Sequence, residues 1–65
     1  MSTTFDVIER AGISTESIDE AVRSVVLEAN EEKSVAWFEV IEQRGRIDGE
    51  GKVEFQVKVK LGMKK

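Results

Sequence analysis

The sequence predicts an α+β fold of order β-α-β-β, a three-stranded antiparallel sheet (strand order 1-3-2) packed on one helix, and three patterns carry that reading. Residues 53–61 alternate without a break, with Val53, Phe55, Val57, Val59 and Leu61 on one side and Glu54, Gln56, Lys58 and Lys60 on the other. That is the period-two signature of a half-covered strand. Residues 18–29 instead space their apolar side chains as a helix does, and Asp48-Gly49 between two apolar runs signals a hairpin. Placing the last strand between the other two makes every neighbour antiparallel, and the helix then crosses over to cover one face.

Residues 5–10, FDVIER, alternate only in part, with Phe5, Val7 and Glu9 opposed to Asp6, Ile8 and Arg10, which suits a strand with apolar groups on both faces. Ala11, Gly12, Ile13 and Ser14 then read as a connection, Gly12 supplying backbone freedom. Ser17-Ile18-Asp19-Glu20 is a capping box in which the Ser17 hydroxyl accepts from the Glu20 N–H and the Glu20 carboxylate reaches back to that of Ser17. Ile18, Ala21, Val22, Val25, Val26 and Ala29 form the apolar stripe, while Asp19, Arg23, Glu28, Glu31 and Glu32 stay in water. The early acids Glu16, Asp19 and Glu20 suit the positive end of the helix dipole. Three valines and the late acids disfavour an isolated helix, so its stability is assigned to packing on the sheet, with an end at residues 30–33.

The second strand is assigned to residues 35–44, VAWFEVIEQR, and the reversal to residues 45–51, where three of seven are Gly. Residues 52–63 return as the central strand. Hairpin partners share neighbours, so Phe38 and Val40 belong with the helix side and Trp37, Ile41 and Gln43 with Gln56 on the bare side.

The chain has 65 residues, 40% hydrophobic and 35% charged, with no Cys, His or Pro, and is expected to form one soluble domain over residues 1–65. Neither a disulfide nor a His/Cys metal site can staple so small a core, which points to self-association as the supplement. A net charge of -3 with dispersed basic residues lacks the footprint of a nucleic-acid binder. No apolar run approaches the ~20 residues that span a bilayer, and MSTTFDVIER lacks a secretory pattern, so the expected location is cytoplasmic with no membrane partner.

Trp37 is the residue out of phase. It falls on the polar side of its strand, and burying an indole at about 25 cal/mol per Å² gains a few kcal/mol, so a cover from outside the protomer is expected. Trp37 and Gln56 share a face and make candidates for one site, an aromatic plate beside a carboxamide that donates and accepts at once. Such a pair suits a flat heteroaromatic ligand with imide-like edges. Strict alternation puts Arg44 opposite Trp37, and only a twist or bulge near Gly45 brings it round. The pattern leaves two readings open: an oligomer contact, or a ligand plate. The acids Glu28, Glu31 and Glu32 lack the ligand spacing of a calcium loop and read as a solvated helix end. Lys58, Lys60, Lys64 and Lys65 read as a charged edge that discourages aggregation.

The short first strand ending in Gly12, the Ser-capped helix with Asp19-Glu20-Ala21-Val22, then Trp37-Phe38-Glu39-Val40, Gln43-Arg44-Gly45 and Glu54-Phe55-Gln56-Val57 together resemble the dodecins, over nearly the whole chain. The resemblance implies a hollow homododecamer that binds FMN or riboflavin. It implies that Trp37 stacks on the flavin ring system, with paired flavins between Trp residues of symmetry-related subunits, that Gln56 bonds the polar edge, and that Arg44 stands beside the ligand. The implied role is flavin storage, buffering or sequestration without turnover. The alternative is an oligomeric interaction module with a degenerate flavin site, binding calcium or another cofactor. An enzyme ranks last, since acid/base work would fall to carboxylates, Lys or a bound cofactor and no pair of acids stands out.

Overall fold

In the computed structural model, which describes residues 2–65, β3 (Val53–Lys64) lies between β1 (Phe5–Ser14) and β2 (Val35–Ile47), and α1 (Ile18–Glu32) connects the two edge strands. Both pairings are antiparallel, giving the expected order β1-β3-β2. The buried side chains of β3, Val57, Val59, Leu61 and Met63, meet Ala21, Val25 and Ala29 of α1, with Ile18, Val22 and Val26 at the margin. Ala21 and Ala29 carry only methyl groups, so the helix axis can approach the sheet closely. Leu61 and Val59 are the largest fully buried side chains.

β1 is four residues longer than the alternation suggested. Ala11, Gly12, Ile13 and Ser14 continue the ladder opposite Lys58, Val57, Gln56 and Phe55 instead of forming a connection. A long central strand offers these backbone groups partners that a loop would have to find in water. Gly12 is consequently needed for space, not for a special dihedral: a β-carbon there would lie 2.6 Å from the Ala21 carbonyl oxygen. The turn into α1 is made by Ser14, whose Oγ accepts from the N–H groups of Glu16 (2.9 Å) and Ser17 (3.5 Å). Half of the capping box forms, with Ser17 Oγ accepting from Glu20 N–H at 3.0 Å. Ser14 takes the partner role expected of the Glu20 carboxylate. At the other end, Asn30 Oδ1 accepts from Val35 N–H at 3.0 Å, fixing the step into β2.

Gly45, Arg46 and Ile47 likewise stay in β2, opposite Phe55, Glu54 and Val53, so the reversal is confined to Asp48–Lys52. Asp48 N–H donates to the Lys52 carbonyl (2.9 Å) and Gly51 N–H to the Asp48 carbonyl (3.1 Å). Asp48 Oδ1 also accepts from Glu50 and Lys52 N–H. Gly51, at φ +81°, supplies the left-handed residue that closes this three-residue loop. The tight two-residue turn at Asp48-Gly49 is not used.

A 15-residue helix is about 22 Å long, whereas the long axis of the molecule is 53 Å. The hairpin therefore projects past α1, leaving Val53, expected on the covered face, 46% exposed and Ile47 64% exposed.

Ion pairs tie the margins together. Arg10 grips Glu32 with two bonds of 2.7 and 2.8 Å, Asp6 accepts from Lys33 at 3.1 Å, and Arg46 pairs with Glu54 at 2.8 Å. Hydrogen bonds from Lys33, Arg10 and Arg46 hold the carboxyls of Asp6, Glu32 and Glu54, respectively, below their ordinary range. A carboxylate depressed in the fold is protonated more readily in the unfolded chain, so its stabilisation is complete above the unfolded value and vanishes as pH falls through the folded one. At fixed protein concentration the urea midpoint is expected to stay level from pH 7 to pH 5 and to fall below about pH 4. A midpoint that is constant to pH 2, or rises on acidification, would contradict these pairings.

Candidate functional site

The bare face of the sheet is set by β3, whose even-numbered side chains point away from α1. Opposite them stand Trp37 across from Gly62, Arg44 across from Gln56 and Arg46 across from Glu54 on β2, with Phe5, Val7 and Ile13 on β1. Two irregularities in β2, at Ala36 and Ile41, fix which of its side chains reach this face.

The first lies between Val35, paired with Met63 on the helix side, and Trp37, paired with Gly62 on the bare side. Gly62 is buried without a side chain of its own because the indole lies on it: a β-carbon there would overlap Cε2, Cζ2 and Nε1 of Trp37. Phe5 meets the ring edge-on, with centroids 6.3 Å apart and planes at 70°. The indole is thus backed by backbone and steadied from the side, yet it remains 38% exposed on the face away from α1. Gly62 carried a readable signal, since glycine within a strand marks a close approach.

The second irregularity inserts Ile41 between Val40, paired with Val59, and Glu42, paired with Lys58. One extra residue inverts the phase of the rest of the strand. Arg44, which strict alternation put opposite Trp37, joins the Trp37 face. Gln43, expected beside Gln56, turns to the helix side opposite the buried Val57, where it lines a groove with Ile18, Val22 and Phe38. Ile41 itself has no partner on β3 and is exposed.

Arg44 and Gln56 are brought into direct contact, Arg44 Nε donating to Gln56 Oε1 at 2.9 Å. The chain of bonds continues: Gln56 Nε2 donates to Glu54 Oε1 (3.0 Å), which also accepts from Arg46 Nε (2.8 Å). Ala11, Ile13, Glu42, Arg44, Gln56 and Lys58 border a hollow of about 290 Å³ on this face. Trp37 and Gln56 share the face but are not neighbours. Their places on β3 are six residues apart, about 20 Å along the strand, which exceeds the length of a three-ring heteroaromatic. A single guest touching both must take them from two protomers.

The acids considered for calcium do not converge. Glu32 is committed to Arg10, and among the described residues no group of three or more His, Cys, Asp or Glu is placed to hold a metal ion. Met63 packs in the core, and Lys65 reaches Asp6 at 3.7 Å. No helix among the described residues is long and apolar enough to cross a membrane.

A three-stranded antiparallel sheet of order β1-β3-β2 with one face covered by a single helix defines a class of small β-α-β-β domains. Within that class the chain belongs to the dodecin family, whose model matches residues 4–65. Dodecin from Streptomyces davaonensis superposes with a TM-score of 0.88 at 30% identity, over 100% of this chain and 97% of that one. Dodecin from Streptomyces coelicolor gives 0.86 at 38% identity, over 97% and 91%. The calcium dodecin of Mycobacterium tuberculosis, described as a calcium chelating immunodominant antigen with a novel calcium-binding site, gives 0.87 at 27% identity, over 95% and 90%. No curated protein matches the chain in sequence. Small-molecule binding and oligomeric assembly are properties of the family.

Proposed function

We propose that the protein is a non-catalytic flavin binder that stores or sequesters FMN or riboflavin as a cytoplasmic homododecamer. The observation that carries this reading is the indole laid flat over Gly62 on the face that α1 leaves bare. A plate so backed offers its outer surface to a planar guest, and stacking rewards a guest more than solvent does. Gln56 fits the polar edge of such a guest. One of its two oxygen lone pairs is used by Arg44 and one of its two N–H groups by Glu54, so one acceptor and one donor remain. An imide edge, with N–H beside C=O, is the complement.

The spacing of Trp37 and Gln56 requires that the plate of one subunit meet the carboxamide of another. The exposed Phe5, Val7, Ile13 and Ile41 around them supply apolar surface for that contact. Assembly and binding are in this sense one event. Arg44 adds positive charge beside the guest.

Native mass spectrometry with a flavin titration tests both parts, with twelve subunits and a saturable flavin count expected. Flavin fluorescence should fall on binding, because an indole in contact with the ring system quenches it. Trp37→Ala is expected to weaken affinity roughly 5- to 150-fold, the range for loss of one aromatic stack. An intact assembly whose wild-type form leaves flavin fluorescence unchanged would overturn the reading in favour of an interaction module. In that case equilibrium dialysis with calcium becomes the next measurement, since one neighbour is described as calcium chelating.

A further inference from the structure

We propose that Glu54 is a positioning residue that fixes the sense of the Gln56 carboxamide and so decides which edge of the guest the site accepts. The inference rests on the flavin reading above for the identity of the guest, though not for the geometry. A primary amide has nearly the same shape when rotated by half a turn, with oxygen and nitrogen exchanged. Shape alone therefore cannot orient Gln56; its partners must.

Both partners favour the same sense. Arg44 can only donate, so it holds the oxygen at 2.9 Å, and the Glu54 carboxylate can only accept, so it holds the nitrogen at 3.0 Å. Glu54 is itself restrained. Arg46 donates to its two oxygens at 2.8 and 3.5 Å, and its side chain is 18% exposed against 61% for that of Arg46. The Arg46 hydrogen bond, with help from Gln56, keeps the carboxyl below its ordinary pKa and therefore acceptor-only at neutral pH. The line Arg46, Glu54, Gln56, Arg44 alternates donor and acceptor without a break. Reversing Gln56 would set its N–H against Arg44 and its oxygen against a carboxylate, two repulsive contacts in place of two bonds.

With its sense fixed, Gln56 offers one lone pair and one N–H in a set order, and the guest has to present the matching order. A flavin alkylated at the imide nitrogen lacks the donor and should be rejected. Removal of Glu54 leaves only Arg44 to orient the amide and relaxes that discrimination.

The test compares riboflavin with N3-methylriboflavin on wild type, Glu54→Ala and Glu54→Gln, each first shown to have the wild-type assembled mass. Wild type is expected to prefer riboflavin by about tenfold, the penalty for an unpaired acceptor in a closed site. Glu54→Ala should cut that ratio at least threefold, and Glu54→Gln, whose carbonyl still accepts from Gln56, should restore most of it. A ratio unchanged in Glu54→Ala overturns the proposal while leaving flavin binding standing. A second readout needs no flavin. The chain has two glutamines, Gln43 and Gln56, so glutamine labelled with 15N at the side chain gives two amide signals, with Gln43 on the helix side as reference. Hydrogen exchange of the Gln56 amide should be slowed in wild type and accelerate at least tenfold in Glu54→Ala. Equal exchange in the two proteins would refute the positioning role even if riboflavin fails to bind.

Discussion

Gly62→Val is expected to abolish most flavin binding while leaving the fold in place. A β-carbon at this position would occupy the space of Cε2, Cζ2 and Nε1 of Trp37, so the indole has to leave the sheet surface altogether. Valine is otherwise a favourable strand residue, and position 62 faces away from the buried row of Leu61 and Met63, so the core should survive. The displaced ring loses its backing and its edge contact with Phe5, and with them the orientation that presents a flat surface. Affinity should fall at least as far as for removal of the indole, roughly 5- to 150-fold, with an unchanged circular dichroism spectrum. Wild-type quenching in this variant would show that the seat on Gly62 is not what presents the indole.

The largest loss of stability is expected from Gly12→Ala. The added methyl would sit 2.6 Å from the Ala21 carbonyl oxygen and 3.2 Å from Val25 Cβ, between β1 and α1. Overpacking typically costs about 1–3 kcal/mol and more where backbone must move, against a total of roughly 3–10 kcal/mol for a chain of this length. The nearer obstacle is main chain, which no side-chain rotation can clear. Gly12→Ala should therefore lower the urea midpoint sharply, and adding Val25→Ala should not restore it, because the carbonyl contact persists. Recovery in the double variant would show that the Val25 contact, and not the helix backbone, limits the space.

Much of this architecture was legible in the chain itself. The unbroken alternation of β3 identified the side that meets the helix, although only Val57, Val59 and Leu61 of that row are buried, Val53 is exposed and Met63 joins them. The helical stripe from Ile18 to Ala29 identified what covers it, and strand order followed because an antiparallel arrangement admits a single simple crossover. Trp37 on the polar side of β2 already marked the bare face. Apart from strand order, these features are local: each depends on a period within one segment, and a period is a property of sequence. The resemblance to dodecins implied a ligand and an assembly that no period encodes.

Where the reading missed, two segments had to meet before the outcome was settled. Ile41 looks like any other alternating residue, and its bulge exists only because β2 and β3 pair with one more residue on one side. That single insertion sent Gln43 inward and brought Arg44 to Gln56. Gly12 suggests backbone freedom in a connection, whereas its actual role is to leave room for the Ala21 carbonyl, and Gly62 leaves room for the indole in the same way. Sequence thus determined the fold, the core and the face that Trp37 occupies, because hydrophobic periodicity is written along the chain. The spacing of Trp37 from Gln56 and the bonds that orient Gln56 were decided only by tertiary structure, because register and close approach are relations between strands.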